Sequence, residues 1–106
     1  MKKECSRDDY NKMTVALFIN EQVKDLLPKL CRKEFKTFIY WDDEIDKMVI
    51  SLNVQLGEYH KHFRSEIYIS GKEKHVDLLS YSRELADLLL RMRYECVIDS
   101  MQIDEN

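Results

Sequence analysis

Residues 47–69, KMVISLNVQLGEYHKHFRSEIYI, decide the fold. Up to Leu56 the even positions are apolar (Met48, Ile50, Leu52, Val54, Leu56), while Lys47, Val49, Ser51, Asn53 and Gln55 form the other set. Because successive side chains of a strand point to opposite faces, this period of two marks a strand with one wet face. After Gly57-Glu58 the parity reverses: Tyr59, Phe63, Ile67 and Ile69 become the apolar set, and His60, His62, Arg64, Glu66 and Tyr68 the polar one. A two-residue turn with Gly in the first central position, as type II′ requires, sets Leu56 opposite Tyr59 and Leu52 opposite Phe63. Both apolar sets then share a face, so the reading is a hairpin.

Working outward, Thr37–Trp41 is β-branched and aromatic, and Asp42-Asp43-Glu44 separates it from the hairpin, which makes it the first strand of a meander. Downstream, Ser70-Gly71-Lys72-Glu73 has the spacing of a capping box, which predicts a helix starting there. Leu78, Tyr81, Leu85, Leu88 and Met92 then recur at intervals of three and four, widened by Leu79 and Leu89. Tyr94, Cys96 and Ile98 alternate with Glu95, Val97 and Asp99, so Tyr94–Asp99 reads as a short final strand and Ser100–Asn106 as a frayed tail. Upstream, Ser6 could cap a helix running through Met13 and Leu17, although Thr14–Ile19 equally suits a strand by propensity; helix is preferred. Val23, Leu26, Leu27, Leu30, Cys31 and Phe35 continue a helical period that Pro28 must kink or divide.

The expected fold is α+β: a small antiparallel sheet, a three-strand meander plus a short final strand, with two or three helices packed on one face in the order α(α)βββαβ. At 106 residues there is room for a single globular domain, residues 1–106, with frayed ends at about 1–6 and 100–106. Apolar residues at 44% supply a core, and only two Gly and one Pro leave few places for a phosphate-cradling loop. Cys5, Cys31 and Cys96 are widely spaced and odd in number, without a CxxC pair, which suits a reducing, cytoplasmic setting; Cys31 and Cys96 read as small core residues. No run is long and apolar enough for a membrane span, and no cofactor is expected.

The net charge of −3 argues against a protein whose main task is coating nucleic acid. A basic cluster nevertheless exists. Lys29, Arg32, Lys33 and Lys36 fall on one face if their segment is helical, and that face could meet a phosphate backbone, with Tyr68 or Tyr40 stacking on bases. His60 and His62 point the same way on a strand, as a pair of imidazole metal ligands would, but the third ligand is undefined beyond Glu58 or Glu66. His75 falls in the first turn of the last helix, where the dipole does not favour an imidazolium. Asp42, Asp43 and Glu44, with Asp46, lack the glycine and distal Glu of a calcium loop; they suit a solvated turn or a contact for a basic partner.

The wet sheet face, with Ser51, Asn53, Gln55, His60, His62, Arg64, Glu66 and Tyr68, is the foremost candidate for an interface, since Tyr and Arg are enriched at hot spots. The expectation is therefore a small non-enzymatic protein-binding factor. An inhibitor, adaptor, immunity or chaperone-like protein of the kind phages and mobile elements carry would fit, acting by covering a partner's surface. The alternatives are nucleic-acid binding through the basic cluster and, more remotely, a metal site or enzyme centred on His60 and His62. Homodimerisation is also expected, because Phe38, Tyr40 and Trp41 exceed what one thin core can hide.

Overall fold

A computed structural model describes residues 7–28 and 33–104. The elements run α1 (Arg7–Leu26), β1 (Phe35–Asp42), β2 (Lys47–Leu56), β3 (Tyr59–Ile67) and α2 (His75–Asp104). The three strands form an antiparallel sheet in the order β1-β2-β3. Both helices lie over the face that carries Met48, Ile50, Leu52 and Val54, and the molecule is only 19 Å thick, the depth of one sheet and one helix layer. None of the described helices is long and apolar enough to cross a membrane.

The hairpin has the register that its parity dictates: Leu56 faces Tyr59 and Leu52 faces Phe63. Gly57 has φ 62° while Glu58 stays out of the positive region, as a type II′ turn demands. The β1–β2 connection is closed locally, with the Glu44 amide donating to Asp42 Oδ1 at 3.1 Å and Asp46 taking φ 56°. One residue departs from its set: Val49, on the face away from the helices, is fully buried, with Tyr40 and Glu66 as cross-strand neighbours.

Among the described residues the N-terminal third holds one helix, not two. Val15, Ala16, Ile19, Val23 and Leu27 follow one another at helical spacing and are all buried, so Thr14–Ile19 is helical as preferred. The Leu27 amide makes the last helical bond, to Val23 O at 2.9 Å, and Pro28 stops the helix because it disfavours the α conformation of the residue before it. Phe35, expected on a continuing helix, instead begins β1. Leu30 and Cys31 lie outside the described residues, as does Cys5.

The predicted final strand is absent. Residues Tyr94–Asp99 belong to α2, which runs 30 residues, about 45 Å at 1.5 Å per residue, and carries Ser100–Asp104, expected to be frayed, within it. The alternation over six residues was a coincidence of spacing. Leu78, Ser82, Leu85, Ala86, Leu89, Arg93 and Cys96 are buried at intervals of three and four throughout the helix. Two of these are polar, which hid the continuity: Ser82 Oγ donates back to Leu78 O at 2.7 Å, and the Arg93 guanidinium sits 5.2 Å from the centre of the Phe35 ring.

The capping-box residues bond to each other, but ahead of the helix. Ser70 donates its amide to Glu73 Oε1 at 2.6 Å and accepts the Lys72 amide at 3.1 Å, while Gly71 at φ 82° keeps the chain from being helical, so α2 begins at His75. Burial alone would raise the Glu73 pKa; the bonds from Ser70 and neighbouring amides prevail and hold its carboxylate below the usual range. Gly71 lies against Asn11 and Lys12 of α1, and His75 stacks on Phe18 with ring centroids 4.9 Å apart, so the two helices set out side by side in the same direction. Lys12 fastens this end to the sheet: Nζ is 2.8 Å from Asp46 Oδ1 and 5.1 Å from the centre of the half-buried Trp41 ring.

Candidate functional site

Two surfaces stand out, on opposite sides of the sheet. The first is the sheet face turned away from the helices. Cross-strand neighbours share a face, so the register sets Lys36, Asn53 and His62 in one row, Phe38, Ser51 and Arg64 in the next, and Tyr40, Val49 and Glu66 in a third. His60 stands opposite Gln55, and Tyr68 follows the end of β3. Phe38 and Tyr40 are 50% and 42% exposed, and Tyr68 is 71% exposed.

This face brings together most of the residues singled out in the sequence, Asn53, His60, His62, Arg64 and Glu66, with Tyr68 just beyond the end of β3. Ser51 Oγ and His62 Nε2 are 3.0 Å apart, which engages one ring nitrogen of the pair considered as metal ligands, and Arg64 reaches Glu66 at 3.7 Å. Among the described residues, no three His, Cys, Asp or Glu side chains stand close enough to hold a metal. Asp42, Asp43 and Glu44 lie at the β1–β2 turn, at one end of the same face. Phe38, considered earlier for its excess apolar area, and Tyr40, considered for that and for stacking on bases, belong to this surface too; the alternation of Phe38 and Tyr40 with Thr37, Ile39 and Trp41 was the signal.

The basic cluster is not a helical face. Lys33 is in the turn before β1 and Lys36 is on β1 itself, while Lys29 and Arg32 lie outside the described residues. Lys33 and Lys36 do share a shallow depression with Asn53, Gln55 and His60, so the strand pairing, not helical spacing, collects these groups.

The second surface could not be seen in the sequence, because its wall belongs to a helix whose later part, Tyr94–Asp99, reads as a strand. Between β3 and α2 runs an apolar groove of about 380 Å³, floored by Ile50, Leu52 and Phe63 and walled by Tyr81, Leu85 and Leu88, with Arg64 and Glu84 on its lining. Leu88 is 50% exposed, and the Tyr81 hydroxyl is buried there with no hydrogen-bond partner among the described residues. Burial, and then the charge of Glu84, push the Tyr81 phenol up from its ordinary pKa. The groove is closed toward the β2–β3 turn, where Tyr59 packs on the last turns of α2 and its hydroxyl reaches Asp99 Oδ2 at 3.5 Å. Burial, followed by Cys96 and Asp99, pushes the Tyr59 phenol up to about 12.

Comparison of the chain with protein-family models, with curated proteins and with solved structures returns no match.

Proposed function

We propose that this chain is a small non-enzymatic binding protein that acts by laying its bare sheet face on a protein partner. The observation that carries this reading is the exposure of Phe38 and Tyr40 among Asn53, His60, His62, Arg64 and Glu66 on one uncovered antiparallel surface, with the exposed Tyr68 just past its end. A sheet with one wet face needs no function, but its wet face is then ordinarily polar. Large aromatics left in water beside Arg and His have the composition of an interface core, where rigid rings bury much area at little entropic cost. Asp42, Asp43 and Glu44 at one end of the face supply a negative rim, and a partner with a basic margin fits there. The role is that of an inhibitor, adaptor, immunity or chaperone-like factor.

The test is affinity capture from native lysate with wild-type protein and with Tyr40→Ala/Arg64→Ala, repeated at low and high salt. The expected outcome is a stoichiometric protein partner that the double variant loses while its circular dichroism stays unchanged. Nucleic acid that washes off with salt would shift the function to Lys33, Lys36 and their neighbours, since phosphate contacts weaken steeply with ionic strength. Retention of the same partner by the double variant would sink the assignment of the face.

A further inference from the structure

We infer that the groove and the outer edge of β3 are closed by a second copy of this chain, joined edge to edge about a two-fold axis through Phe63. The argument starts from the two edges of the sheet. On β1, the outward amide of Ile39 donates to Asn20 Oδ1 of α1 at 3.2 Å, so the helix covers that edge. β3 forms the opposite edge of the sheet, and among the described residues its only strand partner is β2. Natural sheets rarely leave a long edge bare, because a row of free amides and carbonyls is a template for another strand.

The direction of those free groups follows from the turn. In a two-residue hairpin the residues flanking the turn form a narrow hydrogen-bonded pair, so Tyr59, Lys61, Phe63, Ser65 and Ile67 direct their amides and carbonyls to β2. His60, His62, Arg64 and Glu66 therefore turn theirs outward. An antiparallel copy centred on Phe63 sets His60 opposite the partner's Glu66, Tyr59 opposite its Ile67 and Phe63 opposite its counterpart. Ordinary strand sterics make this Phe63 pair non-hydrogen-bonded, the closer of the two kinds, where aromatic side chains meet best. Lys61 points toward the groove, a device that repels casual strand pairing; in this register it meets Ser65. Shifting the centre by one residue stacks Arg64 on Arg64 or His62 on His62 and breaks the aromatic pair; the Phe63 register sets His62 opposite the partner's Arg64 instead, and the Phe63 pair is what favours it.

The same axis suits α2. Phe63 and Leu88 line one groove, and the helix of the second copy runs antiparallel across it. Glu84 lies four residues before Leu88 and Arg91 three after it, so a two-fold near Leu88 brings each Glu84 toward the partner's Arg91. Leu88, half exposed in one chain, and the unpaired Tyr81 hydroxyl then fall inside the joint. Two elements with independent sequences thus agree on one symmetry operation, as an isologous interface requires.

The proposal is tested on the full chain by sedimentation equilibrium or light scattering across the micromolar range. Wild type is expected at twice the monomer mass. Arg64→Pro removes an outward amide and, with it, the guanidinium that reaches Glu66, and is expected to be a folded monomer. Glu84→Arg, a surface change that leaves folding intact, is expected to raise the dissociation constant about tenfold or more, and Glu84→Arg/Arg91→Glu to restore it. A wild type that stays monomeric throughout would overturn the inference, including one that binds an extended peptide instead. So would a dimer that survives both Arg64→Pro and Glu84→Arg. The partner capture described above is read on the bare face with Tyr40→Ala/Arg64→Ala and the dimer on the groove side with Glu84→Arg, which leaves that face untouched, so either result can fail without the other.

Discussion

The two flanks of this sheet are built from similar materials and finished differently. On the α1–β1 side, Val15, Ala16, Ile19 and Val23 are buried along with Phe35 and Ile39, and a side-chain amide closes the strand edge. On the α2–β3 side, Phe63 and Ile67 are only half-buried, Leu88 stands in water and a groove lies between helix and strand. The apolar stripe of α2 is wider than one contact needs. Its inner edge (Leu78, Leu85, Leu89, Cys96) is spent on the core, while Tyr81, Leu88 and Met92 line the groove. An amphipathic helix with more apolar surface than its own chain covers is a helix prepared for company.

This contrast can be broken by mutation. Ile19→Ala, in the finished flank, is expected to cost about 2–5 kcal/mol in urea unfolding, since both the transfer energy and a cavity are lost where the surroundings cannot collapse. Gly71→Ala comes next, at about 1–3 kcal/mol, because a Cβ there strains a left-handed residue and approaches Asn11 and Lys12 at 3.2 Å. Both losses should be the same whatever the protein concentration.

A smaller effect belongs to the closed end of the other flank. Tyr59 keeps its proton in the folded state up to about pH 12 but releases it nearer its ordinary pKa of 10.0 when unfolded. Above pH 10 the unfolded chain therefore holds fewer protons than the native one, and stability falls as pH rises toward 12. Tyr59→Phe should flatten that decline when thermal unfolding is followed across the range. Smallest of all, Leu88→Ala should change the stability of the isolated monomer by less than about 0.5 kcal/mol, as surface substitutions usually do. A loss as large as that of Ile19→Ala would show that the groove is already filled and erase the difference between the flanks.

The sequence disclosed the parts of this fold whose pattern is local. The β2–β3 register followed from the parity change at Gly57-Glu58, and the bare face followed from that register. What failed were patterns in which polar residues take core positions. Ser82, bonded to its own helix, and Arg93, stacked on an aromatic ring, interrupt the stripe of α2, so Tyr94–Asp99 was left to be read by its accidental alternation. The capping box at Ser70 misplaced a helix start because the same bonds also close a turn, and Gly71 decides between them. The groove was illegible for a related reason: it depends on how α2 lies beside β3, a tertiary placement that no local pattern carries, and the Tyr94–Asp99 alternation left even the edge of the sheet undefined.

The parallel course of the two helices also sets an order of events during synthesis. Helices lying side by side in one direction cannot be joined by a short turn, and here the whole meander serves as the connection. As the chain leaves the ribosome α1 emerges first, with Val15, Ala16, Ile19 and Val23 exposed, and the hairpins of the sheet can close behind it by local contacts. The mate that finishes its packing, α2, is made only after the whole sheet. Until then the nascent protein presents a greasy helix and an unroofed sheet together, the kind of exposed apolar surface that makes a partly folded chain prone to aggregate.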